Sequence, residues 1–160
     1  MKRLVNLFAL LVVTAVVAGT LIAQTKPSFE GTWKLNLAKS KYEGSQAPKS
    51  LTRTVTAEGS GLKYSFEGEA ADGSKISWGF TSKLDGSDST VSGVGMPAGV
   101  DTVSLEKTSV HKMAGVLKHG GTKIGTVTTV ISPNGQTVTV YSKSKMDGKE
   151  VKTEQFYDKQ

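Results

Sequence analysis

Cysteine is missing altogether from the 160 residues, and histidine is represented only by His111 and His119. The first absence excludes a thiol nucleophile, a thiolate metal site, an iron–sulfur cluster, any disulfide and a lipidated cysteine. The two histidines have no carboxylate or partner histidine at ligand spacing, so no metal site is expected. Proline is scarce, at 4 residues against 18 glycines, and the profile is neither disordered nor collagenous. Serine and threonine are plentiful, but no Gly-x-Ser-x-Gly elbow occurs, and no Ser-x-x-Lys is supported by companion motifs. The run Gly93-Val94-Gly95-Met96-Pro97-Ala98-Gly99 lacks the following Lys-Ser/Thr and helix of a phosphate loop and reads as a rim loop. Nothing resembles a catalytic constellation, and the expectation is a non-enzyme without a cofactor. Lys143, Lys145, Lys149 and Lys152 alternate with Asp147, Glu150 and Glu154, a pattern that argues against a nucleic-acid partner.

What is present begins with a leader. Lys2 and Arg3 precede an apolar stretch from Leu4 to Ala18, followed by Gly19-Thr20-Leu21-Ile22-Ala23. A short positive region, an apolar region and a small terminal residue make a secretory signal peptide. Cleavage after Ala23 is expected, exposing Gln24, with Ala18 as an earlier candidate. An uncleaved anchor is the competing reading, since the 20 residues Leu4 to Ala23 are just long enough to span a bilayer. Residues 1–23 carry two basic groups and no acid, so their removal lowers the net charge from +6 to +4. The expected product is a single domain, 24–160, exported to the periplasm or secreted, with no stable membrane insertion, and a monomer. Without disulfides its stability must come from a core, and a chain of this size can supply one.

Turn signals then recur: Gly59-Ser60-Gly61, Asp72-Gly73, Asp85-Gly86, Pro97-Ala98-Gly99, Gly120-Gly121, Asn134-Gly135 and Asp147-Gly148. Asn-Gly and Asp-Gly supply the backbone angles that tight hairpins demand. Between them the residues alternate with period two. Ile76, Trp78, Phe80 and Leu84 take one face, and Lys75, Ser77, Thr81 and Lys83 the other. Trp33, Leu35 and Leu37 likewise share a face, as do Leu62, Tyr64 and Phe66, and Val151, Thr153, Gln155 and Tyr157. One polar and one apolar face, strand after strand, predicts an antiparallel sheet with a single wet side. About ten strands are expected, over 29–37, 50–57, 62–69, 75–84, 88–93, 100–107, 110–118, 122–131, 136–144 and 149–159. Twist and edge exposure do not let such a meander stay open, so the fold class is all-β, an antiparallel up-and-down β-barrel of about 8–10 strands. Barrels of that size can enclose a cavity, and Ser82, Thr153 and Thr126 or Val127 on the inward side are consistent with a partly open interior.

The ends of the chain carry a resemblance. Phe29-Glu30-Gly31-Thr32-Trp33-Lys34-Leu35 resembles the opening strand of the calycin superfamily, in particular the fatty-acid-binding proteins with their F-x-G-x-W-K-L pattern. Gln155-Phe156-Tyr157-Asp158-Lys159 is similar to that family's final strand, where an Arg-x-Tyr pair faces the cavity. The middle matches only in rhythm. Two departures stand out: the connection from Ala38 to Lys49 is too short for the family's helix–turn–helix lid, and Gln155 replaces the arginine of the Arg-x-Tyr pair. With its leader, the chain is best described as an exported bacterial lipocalin-like barrel. The resemblance implies a small hydrophobic or amphipathic ligand as partner. A packed, ligand-free barrel serving as an envelope structural or protein-interaction module is the alternative.

Individual residues can be weighed on the same basis. The resemblance gives Trp33 a structural role closing one end of the barrel, and Gly31 lets the first strand bend or approach a neighbour. Arg53, the one arginine after Arg3, shares a face with Leu51 and Val55. If that face is the inner one, the guanidinium must be paired or must meet an anionic ligand. It could instead stack on Trp33, or lie outside if the threonines Thr52, Thr54 and Thr56 point inward. Gln155 and Tyr157 offer hydrogen bonds to a ligand's polar end or to a packed core. Tyr64, Phe66, Trp78 and Phe80 form an aromatic wall that can be core, ligand cradle or both.

Overall fold

The structure is a computed structural model, and it describes residues 27–97, 99–146 and 148–160. The expected leader lies outside the described residues. The first strands are β1 Gly31–Leu35, β2 Lys41–Glu43, β3 Ser50–Glu58 and β4 Gly61–Glu69. They are followed by β5 Lys75–Ser82, β6 Asp85–Thr90, β7 Ser92–Val94 and β8 Thr102–Ser109. β9 Lys112–His119, β10 Thr122–Ile131, β11 Thr137–Met146 and β12 Lys149–Lys159 complete the chain. All belong to one antiparallel sheet, ordered β6-β8-β9-β10-β11-β12-β1-β3-β4-β5-β7, with β2 alongside β12. The result is an all-β, nearly closed barrel. The one helical element among the described residues is a short 3-10 turn at Leu37–Lys39.

The hairpin turns are built from the short polar side chains that the sequence places there. In the β4–β5 and β10–β11 hairpins Asp72 accepts from the Ser74 N–H at 2.9 Å and Asn134 from the Gln136 N–H at 3.1 Å, and at the irregular start of β6, which is no hairpin, Asp85 accepts from the Ser87 N–H at 3.0 Å. Each is an Asx turn whose side chain mimics the backbone group that the turn leaves unpaired.

Two details differ from the ten strands that the alternation predicts. The stretch expected as one strand over 88–93 is two, β6 on β8 and β7 on β5, and the chain crosses between them at Val91. Barrel closure across this seam comes from the covalent chain and not from a continuous hydrogen-bond ladder. Gly93 makes the crossing possible: its φ is +128°, and a Cβ there would lie 2.5 Å from the Trp78 Cα. The second difference is β2, which pairs Glu43, Tyr42 and Lys41 with Lys152, Thr153 and Glu154 of β12. Because the 3-10 turn interrupts the first strand, Leu37 leaves the inner face expected for it and is 42% exposed.

The inner side chains fall into two levels. At one end Trp33, Met113, Ile131 and Val138 are completely or almost completely buried and form a plug. The Trp33 indole N–H donates to the Phe29 carbonyl at 3.0 Å, and the Lys159 ammonium lies 5.1 Å from the indole ring. Gly31 permits that approach, since a Cβ on it would sit 3.0 Å from Lys159 Cε. The basic residue capping Trp33 is therefore Lys159 and not Arg53, which corrects the stacking expected as one alternative for the arginine.

Candidate functional site

Beyond the plug the barrel interior is open. A cavity of about 360 Å³ extends from Tyr64, Arg53 and Tyr157 toward the opposite end, where Gln46, Ala71 and Pro97 line it from three inter-strand connections. Its size falls within the range of small-molecule sites. The register explains which side chains reach it. Trp33, Arg53, Phe66, Trp78 and Gly93 are successive cross-strand partners from β1 to β7, and partners in an antiparallel ladder point to the same face.

The two sides of the cavity differ. On β4 and β5 the four aromatics stand as a rack. Phe66 and Trp78 stack with centroids 3.8 Å apart and Tyr64 and Phe80 at 4.6 Å, with ring planes within 16° in each pair. These separations are close to the spacing of neighbouring strands, so the rings are stacked along the sheet. On β10 to β12 the lining includes Thr129, Ser142, Thr153, Gln155 and Tyr157. Here the polar groups largely satisfy one another: Tyr157 Oη donates to Gln155 Oε1 at 2.9 Å, and the Ser142 and Thr153 hydroxyls lie 2.8 Å apart. Burial pushes the Tyr157 hydroxyl well above the ordinary tyrosine range, so it stays protonated.

Arg53 sits at the inner end of the cavity, where Tyr64 and Tyr157 also line it. It is only 3% exposed, and no carboxylate among the described residues lies within ion-pair distance of it. Its guanidinium carbon is 5.2 Å from the centre of the Tyr64 ring, on which it forms a cation–π contact, while its Nε has no hydrogen-bond partner. Burial pulls the guanidinium below its ordinary value, opposed by Tyr64 and Tyr157. Arginine nevertheless remains charged in a protein.

All seven side chains singled out in the sequence as ligand candidates line this one cavity: Arg53, Tyr64, Phe66, Trp78, Phe80, Gln155 and Tyr157. Thr153 and Val127 line it as well, whereas Thr126 is exposed and Ser82 is buried away from it. Sequence reasoning missed Tyr42. It lies in the short β2, lines the cavity, and its buried hydroxyl has no hydrogen-bond partner. Three alternating residues are too brief a signal to mark a strand, and the segment reads as a loop. Of the histidines, His119 Nδ1 lies 3.3 Å from Asp101 at the surface. Among the described residues no group of three or more His, Cys, Asp or Glu side chains could hold a metal ion.

The fold is a nearly closed antiparallel β-barrel around a cavity, an architecture that known structures share. Among solved structures, zebrafish ileal bile acid-binding protein complexed with cholic acid is similar, with a TM-score of 0.51 and 14% identity, covering 82% of this chain and 98% of that one. The siderocalin Ex-FABP, described as functioning through dual ligand specificities, aligns with a TM-score of 0.39 and 12% identity over 82% of this chain and 73% of its own. No protein-family model matches the sequence, and no curated protein matches it.

Proposed function

We propose that this protein is an exported, monomeric and non-enzymatic barrel that holds one small hydrophobic or amphipathic molecule in its central cavity. The observation that carries the reading is the 360 Å³ space itself, bounded by an aromatic rack on one side and small polar groups on the other. A packed ligand-free barrel would fill such a volume, because empty space in a core forfeits contacts and costs stability. The similar bile acid-binding barrel, solved with cholic acid, agrees with a binding role. Export rests on the Lys2-Arg3 leader and the small residue Ala23. In this reading the aromatics provide apolar contact area, and Gln155 and Tyr157 can re-aim their mutual hydrogen bond toward a polar group of the ligand.

One preparation tests both parts. Protein recovered from the extracytoplasmic fraction of its host begins at Gln24 and binds the neutral apolar dye Nile red saturably, one molecule per chain. Full-length chain found only in membranes contradicts export, and absence of saturable dye binding contradicts the carrier role.

A further inference from the structure

Two side-chain groups in the cavity wall are buried and unpartnered, Arg53 Nε on β3 and the Tyr42 hydroxyl on β2. The first can only donate, and the second can donate. Every other buried orphan among the described residues, Asp101 Oδ1 and His111 Nδ1, lies outside the cavity lining. A buried guanidinium without a carboxylate is expensive, and the cost is relieved when an anion is supplied. No carboxylate lines this cavity: its side-chain acceptors are neutral, and among them Tyr157 bonds Gln155 and Ser142 bonds Thr153. What is missing from the site is a negatively charged acceptor.

Resting on the binding role proposed above, we infer that the ligand is a monoanionic amphiphile whose acidic group enters first and docks at the inner end of the cavity, against Arg53. The anion site is built on β3, separated only by β1 from the closing strand β12, where Gln155 stands at the position that carries arginine in the fatty-acid-binding pattern. The guanidinium carbon lies 5.2 Å from the centre of the Tyr64 ring, which is itself stacked on Phe80, so the cation is already placed at the inner end before the ligand arrives. The apolar part of the ligand then runs along Phe66 and Trp78 toward the open end, while the Tyr42 hydroxyl, near Gln155 and Tyr157, offers a further donor to the acidic group.

The test is displacement of Nile red by decanoate, decyl sulfate, 1-decanol and decyltrimethylammonium at neutral pH. Charge-assisted hydrogen bonds imply that the two anions bind at least about tenfold more tightly than the alcohol, with the ammonium weakest. Decanoate stronger than decyl sulfate assigns a carboxylate, and the reverse order a sulfate-like head. In Arg53→Met the anion-over-alcohol preference, read within the variant itself, falls to about one. Tyr42→Phe, remote from the plug, lowers the anion-over-alcohol preference roughly threefold. Equal affinity for acid and alcohol in the native protein overturns the inference while leaving the cavity role intact. Should Arg53→Met fail to fold, the native series and Tyr42→Phe still decide. Failure of Nile red itself to bind defeats the carrier role and not the anion site alone.

Discussion

Trp33 and Arg53 are neighbours across β1 and β3, yet they serve opposite ends of the molecule's energetics. The indole is completely buried, hydrogen-bonded to Phe29 and covered by Lys159. Trp33→Ala therefore costs about 3–5 kcal/mol, the usual loss for a large buried aromatic. Lys83→Ala, on the exposed face, changes stability by less than about 0.5 kcal/mol. Denaturant melts of the two variants check this, and comparable losses would mean that the inner and outer faces are misassigned. Arg53 works the other way. Its burial without a counterion costs stability, and on the proposed reading an anionic acceptor bound beside it would return part of that cost. Replacing a core position by a charged one is the sort of local conflict expected at a functional site.

Among the elements, the β11–β12 hairpin carries the clearest electrostatic device. Glu150 lies 2.8 Å from Lys143 and 2.7 Å from Lys152, and hydrogen bonds from both lysines lower its pKa from the usual 4.5 to about 2. A depressed carboxylate contributes stability that is present above its unfolded value and lost as pH falls through the folded one. The loss therefore runs from about pH 4.5 down to about 2. It is small, because the group is exposed. A carboxyl-carbon NMR titration should place the Glu150 midpoint near 2, rising toward the ordinary glutamate value in Lys143→Ala/Lys152→Ala; an unshifted midpoint in the native protein contradicts the ion pairs. The same scale shows what was readable in advance. Hairpin turns and faces were legible because Asp-Gly and Asn-Gly signals are local and strand alternation is strict, as in Ile76, Trp78 and Phe80. The seam was not. Ser89 to Gly93 alternates like one strand, and the exchange of partners at Val91 is decided by closure of the whole sheet, a constraint without any local trace. For the cavity, parity put Arg53 and Gln155 on the apolar faces of their strands, but it left open whether Arg53 points inward and which partners the two would meet. That Lys159 and not Arg53 covers Trp33 depends on pairing residues 126 positions apart in sequence, Trp33 and Lys159.

At the scale of the molecule, the barrel divides its interior between a packed plug around Trp33, Met113 and Ile131 and an open cavity toward the far connections. The plug supplies stability, and the cavity forgoes some of it. A ligand that binds only the folded state returns stability by mass action. The chain contains 2 tryptophans, and the barrel places one in each region: Trp78 lines the cavity, and Trp33 does not. A two-dimensional ¹H–¹⁵N spectrum therefore carries its own control. When Nile red is added, the Trp78 indole signal should shift in proportion to occupancy, while the Trp33 indole, bonded to the Phe29 carbonyl within the plug, holds its position. A Trp78 signal that stays fixed while the dye binds saturably would place the ligand outside the barrel and contradict the central claim.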